Sequence, residues 1–195
     1  MCGFPQVWRW IDRNRNQIMP MTSPHEFFVH EMQDLLGAEQ LVLKTLPKLI
    51  ESAEDKDVKA ALREHEKETK QQIKNLEEAF KLLGEKAEAV DCKGMQGIVA
   101  ERDEFLKEKP SPEILQVFDC GAAAKAEHYE IVSYTGLVDK AKLMGQTEVA
   151  KLLQENLKQE EAMAKAVEKF ETKLGKQLLA PMIEEMAAQE ASADD

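Results

Sequence analysis

Four stretches of this sequence carry an apolar residue at every third or fourth position, and each of the four is interrupted near its middle by glutamate. Steps of three and four keep side chains on one face of an α-helix, so each stretch predicts a helix with a buried stripe. The first stripe reads Phe28, Met32, Leu35, Glu39, Val42, Leu46 and Leu49, and the second Val58, Ala61, His65, Glu68, Gln72, Leu76, Ala79 and Leu83. The third reads Val117, Cys120, Ala124, Glu127, Ile131, Tyr134, Val138 and Ala141, and the fourth Leu153, Leu157, Glu160, Ala164, Val167, Phe170 and Leu174.

Local signals bound these helices. Ser23, Pro24 and Glu26 form a capping box with proline in the first turn, predicting a helix to about Ser52 that Pro47 should bend near its end. Gly84 suits a left-handed cap for a second helix from about Asp55 to Leu83, and Ser111 with Pro112 starts the third. Gly145 breaks the chain before Thr147, which is expected to cap a fourth helix ending near Leu174. Beyond it, Leu178, Leu179, Met182, Ile183 and Met186 predict a short docking helix behind Pro181 and then a disordered acidic tail.

The links are unequal. Helices one and two, and three and four, are joined by short turns, whereas Glu85 to Pro110 separates the second from the third. A bundle helix of this size is roughly 40 Å long, so a long link lets the third helix start back at the far end. Residues 94–108 contain enough apolar side chains for a short helix inside that link. One long crossover between two hairpins is the ferritin-like arrangement of an all-α four-helix bundle. The expected organisation is an N-terminal extension over residues 1–22, a bundle over 23–174 and a C-terminal short helix with tail over 175–195. The extension carries Trp8, Trp10 and three arginines but lacks the apolar core of a secretory signal, and Met21 is an alternative start.

Composition narrows the function. A formal charge of −11 over 195 residues argues against nucleic acid and anionic lipid as partners. No apolar run approaches the roughly 20 residues that span a bilayer. Cys2, Cys92 and Cys120 are far apart with no Cys-x-x-Cys pair, which fits a reducing cytoplasm; Cys120 falls on an apolar face as a buried thiol.

An ionised carboxylate in an apolar core costs several kcal/mol, so four at one level must share protons, find cations or bind metal. The structural alternative is that individual glutamates lie on solvated faces. One interruption per helix, each flanked by apolar residues, favours a two-metal site at Glu39, Glu68, Glu127 and Glu160.

The chain resembles the YciF-like branch of the ferritin-like superfamily from about Pro24 to Val167. The resemblance rests on Glu31, Asp34, Ala38, Glu39 and Gln40; on His65, Glu68, Thr69 and Gln72; on the run from Lys125 to Ile131 with Tyr134; and on Leu152, Leu153, Glu155, Glu160 and Glu161. It implies a rubrerythrin-like fold, often dimeric, connected with bacterial stress responses, whose activity is poorly defined. It implies one carboxylate ligand per helix at Glu39, Glu68, Glu127 and Glu160, with Glu130 as an extra ligand from the third helix. The Glu-x-x-His pairs of the standard site are replaced by Glu68 with Gln71 and Glu160 with Met163. His65, one turn before Glu68, can supply a nitrogen ligand or bond Glu68 as a core histidine, and Gln72 can serve as an oxygen ligand or support one. Tyr134 can hydrogen-bond a ligand or simply pack. His128 lies off the stripe, while His25 and His30 read as ordinary surface residues.

An oxygen-rich site suits two iron or manganese ions. Two functions follow as expectations: redox chemistry with peroxide or dioxygen, catalase-like or ferroxidase-like because no rubredoxin-like domain feeds electrons; or a non-catalytic stress protein whose polar layer sets helix pairing or a homodimer.

Overall fold

The computed structural model describes residues 20–193. The helices are α1 (Pro24–Ser52), α2 (Lys56–Leu83), α3 (Lys93–Phe105), α4 (Pro112–Leu143) and α5 (Thr147–Ala193), with a 3₁₀ turn (Leu106–Glu108) following α3. Among the described residues there is no strand, and no helix is long and apolar enough to cross a membrane.

The caps fall where local chemistry directs them. Ser23 Oγ accepts from the Glu26 amide at 3.3 Å, and Ser111 Oγ accepts from the Ile114 amide at 3.4 Å. Gly84 ends α2 with φ 74°, a conformation open to glycine at no steric cost. Asp55 starts α2, accepting from the amides of Asp57 and Val58. Thr147 lies one position inside α5, since the Ala150 amide already bonds the Gln146 carbonyl at 2.9 Å.

α1 pairs with α2 and α4 with α5, while α1 also packs on α4 and α2 on α5. α2 and α4 therefore sit on a diagonal, and the chain passes between them by the long crossover. This is the ferritin-like all-α bundle. The expected helix within the link is α3, which lies against α1 and α4.

Three contacts fix the crossover. The Val90 amide donates to the Gln33 carbonyl at 3.2 Å, so the segment before α3 runs close over α1 at Gly37. A Cβ on Gly37 would lie 1.8 Å from the Val90 carbonyl oxygen, which no side chain survives. Tyr129 of α4 donates to Asp34 of α1 at 3.1 Å and meets the Cys92 sulfur at 3.1 Å, just before α3. At the other end of α3, Arg102 grips Asp119 of α4 through Nε at 2.6 Å and a terminal nitrogen at 3.0 Å, with Ser52 of α1 at 3.3 Å.

The expectation fails at the C-terminus. In place of a bundle helix ending near Leu174 and a separate docked helix behind Pro181, α5 continues unbroken to Ala193. Pro181 leaves the Gln177 carbonyl without its helical donor, but Gln177 is exposed and water can take that role. Leu179, Met182, Ile183 and Met186 are exposed. They do not dock on the bundle. Residues 1–19, where the N-terminal extension was expected, and Asp194 and Asp195 lie outside the described residues.

Replacing Gly37 by alanine forces the crossover off α1. The urea midpoint should fall by the equivalent of about 2 kcal/mol or more, as for overpacked cores, whereas Gly97→Ala, with open space around its Cβ, should leave it unchanged or raise it.

Candidate metal centre

Glu39 of α1, Glu127 and Glu130 of α4 and Glu160 of α5 are all buried, the last with 0% of its surface exposed. Helical spacing explains the convergence: in each of these helices the carboxylate replaces an apolar residue on the inward face, with buried residues within a turn or so on either side. Glu127 and Glu130, three apart on α4, share one face.

The oxygens are not satisfied by the protein. Both oxygens of Glu130, and one each of Glu127 and Glu160, are buried without a hydrogen-bond partner. His65 of α2 is buried beside them, its Nε2 at 3.3 Å from Glu127 Oε1 but outside hydrogen-bond geometry, and neither ring nitrogen has a partner. Ligand atoms of His65, Glu127 and Glu160 all lie within 4.8 Å of one another. Unpartnered buried polar atoms are rare in folded proteins and point to something that fills the gap.

Other groups orient this layer. Tyr134 donates to Glu39 Oε1, and Gln72 donates through Nε2 to Glu160 Oε1. Asn156 donates to the Tyr134 hydroxyl at 2.9 Å and to the Gln72 carbonyl at 3.1 Å, and Asn75 donates to Asn156 Oδ1 at 2.7 Å. Gln71, at the exposed end of the chain, donates to Asn75 at 2.9 Å. Gln71, Asn75, Asn156 and Tyr134 thus donate in succession from the surface to Glu39.

Burial dominates the electrostatics. It pushes Glu39, Glu127 and Glu130 well above the usual carboxylate range, with the negative charge of neighbouring carboxylates adding to it; the Tyr134 hydrogen bond partly offsets this at Glu39. Glu160 is raised to about 7, again chiefly by burial, and is held down by hydrogen bonds from Glu127 and Gln72. Without a cation, burial and the neighbouring carboxylates therefore favour the protonated form of Glu127. Burial also lowers His65 to about 4, so its imidazole is neutral at neutral pH with one nitrogen lone pair available.

Of the residues singled out from the sequence, Glu39, Glu127, Glu130, Glu160, His65, Gln72 and Tyr134 are brought into one buried layer. Glu68 differs. It is half-buried at the rim, raised by partial desolvation and by Glu64, and interacts electrostatically with Glu127 and Glu160. α2 buries Leu62 and Thr69 in place of Ala61 and Glu68, a rotation of one position across the expected stripe. His65 approaches Glu127 and not Glu68. His128 is exposed and meets Glu168 at 3.0 Å, as its off-stripe position implies, and Cys120 is a buried free thiol.

The asparagines of the ladder were not anticipated. Their signal was available, since Asn75 lies three after Gln72 and Asn156 four before Glu160 on the same helix faces.

The sequence profile of DUF892, a domain of unknown function, matches residues 23–180. The protein YciF of Escherichia coli K12 is 30% identical over 145 residues, covering 74% of this chain and 87% of YciF. Among solved structures, YcfI from Rhodopseudomonas palustris, described provisionally as a structural protein, is 31% identical with a TM-score of 0.74, covering 82% of this chain and 98% of its own. The structure of the E. coli stress protein YciF gives a TM-score of 0.75 at 27% identity, covering 80% and 99% of the two chains.

A carboxyl group whose pKa is raised on folding stabilises the protein at low pH, and that contribution is lost as pH rises through the folded value. His65 acts oppositely, and its contribution is complete above its ordinary value of 6.5. Metal-free protein should therefore lose thermal stability as pH rises from the ordinary carboxyl value of 4.5 to about 7, the folded value of Glu160, by up to about 1.4 kcal/mol per pH unit for each proton that the folded protein holds and the unfolded chain has lost, with His65 offsetting one such proton below 6.5. Glu160→Gln should flatten that slope, as read by melting temperature against pH in the presence of chelator.

Proposed function

Because this chain belongs to the DUF892 family, whose relatives include a bacterial stress protein, we propose that it is a two-metal redox protein of the stress-response type with carboxylate ligands. The observation that carries this reading is the buried layer of Glu39, Glu127, Glu130 and Glu160, with four carboxylate oxygens and both His65 nitrogens lacking hydrogen-bond partners. Those atoms fit a pair of divalent cations, whose charge would balance four carboxylates that cannot all ionise alone. Glu39, Glu127, Glu130, Glu160 and His65 would hold the ions, with Glu68 at the rim. A donor set of carboxylates with one imidazole suits iron or manganese better than copper or zinc.

Two such ions would supply the electrons for reducing dioxygen or peroxide, in a ferroxidase-like or catalase-like reaction. The protein's own part is to hold and shield. Tyr134, fixed by Asn156, keeps one oxygen of Glu39 in place; Gln72 does the same for Glu160; and the apolar residues above and below exclude bulk water. Neutral His65 offers its lone pair without first losing a proton at physiological pH.

Metal analysis of protein expressed with iron and manganese should find one or both bound, and adding either to chelated protein should raise the melting temperature. At a free ion concentration a hundredfold above Kd, the stabilisation is about 2.7 kcal/mol. Glu130→Ala should remove most of this shift; an equal shift in that variant and in the parent would exclude the assignment of Glu130.

A second reading is favoured by the hydrogen-bond ladder and by burial, which raises Glu127 and Glu160 toward their uncharged forms and gives the layer a metal-free way to lower its charge. On this reading the polar layer fixes helix pairing in a non-catalytic stress protein. It predicts a melting temperature indifferent to chelator and metal.

We further infer a homodimer, supported by the exposed apolar run of α5 at Leu179, Met182, Ile183 and Met186, which the bundle leaves uncovered. Removing the segment after Gln177 should leave the bundle's melting temperature nearly unchanged and convert a dimer to a monomer in light scattering.

A further inference from the structure

Beside the carboxylate layer is a void of about 60 Å³, roofed by α3 and floored by α1, α2, α4 and α5. Leu46, Leu62, Ile98, Ala123, Ala126 and Met163 make most of its wall, and His65 and Glu127 lie at its polar end. A smaller void of about 20 Å³ shares Leu49, Leu62, Asp119, Ala123 and Met163 with it and reaches toward the end of the bundle near Ala53 and Gln116. Apolar spaces therefore follow one another from the bundle end to His65.

The other polar groups bordering the larger void are already engaged. Thr45 donates to the Leu41 carbonyl at 2.9 Å, and Arg102 is bound to Asp119. Water needs two or more partners to reside in a cavity, and here only the His65 and Glu127 end offers any. With those atoms committed to a cation, the remaining wall is apolar apart from Thr45 and the paired Arg102 and Asp119. Such spaces stay dry and accept small apolar molecules instead.

We propose that this void is a binding site for a small uncharged apolar molecule of dioxygen size, and that it delivers dioxygen, in preference to peroxide, to the His65 and Glu127 side of the centre. The delivery step rests on the two-metal reading above; the binding step does not. Hydrogen peroxide carries two donors and several acceptor lone pairs, which the engaged walls cannot satisfy, so the void discriminates against it. The crossover has a definite role in this scheme: Met95, Ile98 and Val99 of α3 close the roof, and the Arg102–Asp119 pair pins that roof to α4.

Xenon tests the site in the full-length, metal-free protein. Crystals pressurised with xenon should show an atom between α3 and the pair Ala123 and Ala126, and that atom should be absent in Ala126→Leu or in the milder Ala123→Val, each first checked for an unchanged circular dichroism spectrum. An empty void in the parent protein, or xenon retained in both variants, would overturn the binding site. The second measurement uses iron(II)-loaded protein mixed rapidly with dioxygen or with peroxide. Oxidation by dioxygen should slow in Ala126→Leu while oxidation by peroxide keeps its rate, and equal slowing of both would overturn selective delivery. If the protein takes up no iron, the two-metal reading fails, and with it delivery, while the xenon result still decides whether the void binds gas.

Discussion

Four carboxylates withdrawn from water into one layer of the bundle set the terms for the structure around them. Left ionised together they would repel one another in a medium that screens charge poorly, so the protein without cations must hold protons there. The raised Glu39, Glu127, Glu130 and Glu160 are the consequence. The layer is thus preloaded with protons that divalent cations would displace, and cation affinity should strengthen as pH rises.

Around that layer the protein spends its few buried polar side chains on orientation. Tyr134, Gln72, Asn156 and Asn75 anchor one oxygen of Glu39 and one of Glu160, while one oxygen each of Glu127 and Glu160 and both of Glu130 stay without hydrogen-bond partners. A layer evolved only to pair helices would be expected to satisfy every member, because a half-satisfied network costs more than an apolar core. The division between anchored and open oxygens is the physical reason to favour cations over hydrogen bonding alone.

The crossover joins the site to the rest of the fold. It is held at three points, by Gly37 beneath Val90, by Tyr129 between Asp34 and Cys92, and by Arg102 on Asp119. Those contacts hold α3 over the bundle beside the carboxylates, where it forms one wall of the apolar void. Nothing in the apolar periodicity announces them, because each joins residues from different helices through polar or backbone atoms. Glycine at 37 is needed for close approach and not for a turn, so it reads in the sequence as a mere weakness in a helix.

The four long helices, most of their caps, the crossover with its short helix and the inward positions of Glu39, Glu127 and Glu160 follow from the sequence alone, because side-chain period and capping chemistry are local properties. Glu130 was indicated by family resemblance and lies in the buried layer. Tertiary packing decided the rest. In α2 the stripe positions Val58, His65, Gln72 and Ala79 all stay inside, while Leu62 and Thr69 take the intervening places expected for Ala61 and Glu68, so Glu68 comes to the rim. Likewise, α5 runs past Pro181 because its exposed carbonyl can turn to water, a circumstance set by where the bundle ends. The sequence by itself determined that Glu39, Glu127 and Glu160 face inward. Only the packing of five helices decided which oxygens are anchored, which remain open, and where a dry space lies beside them, since those depend on distances between segments far apart in the chain.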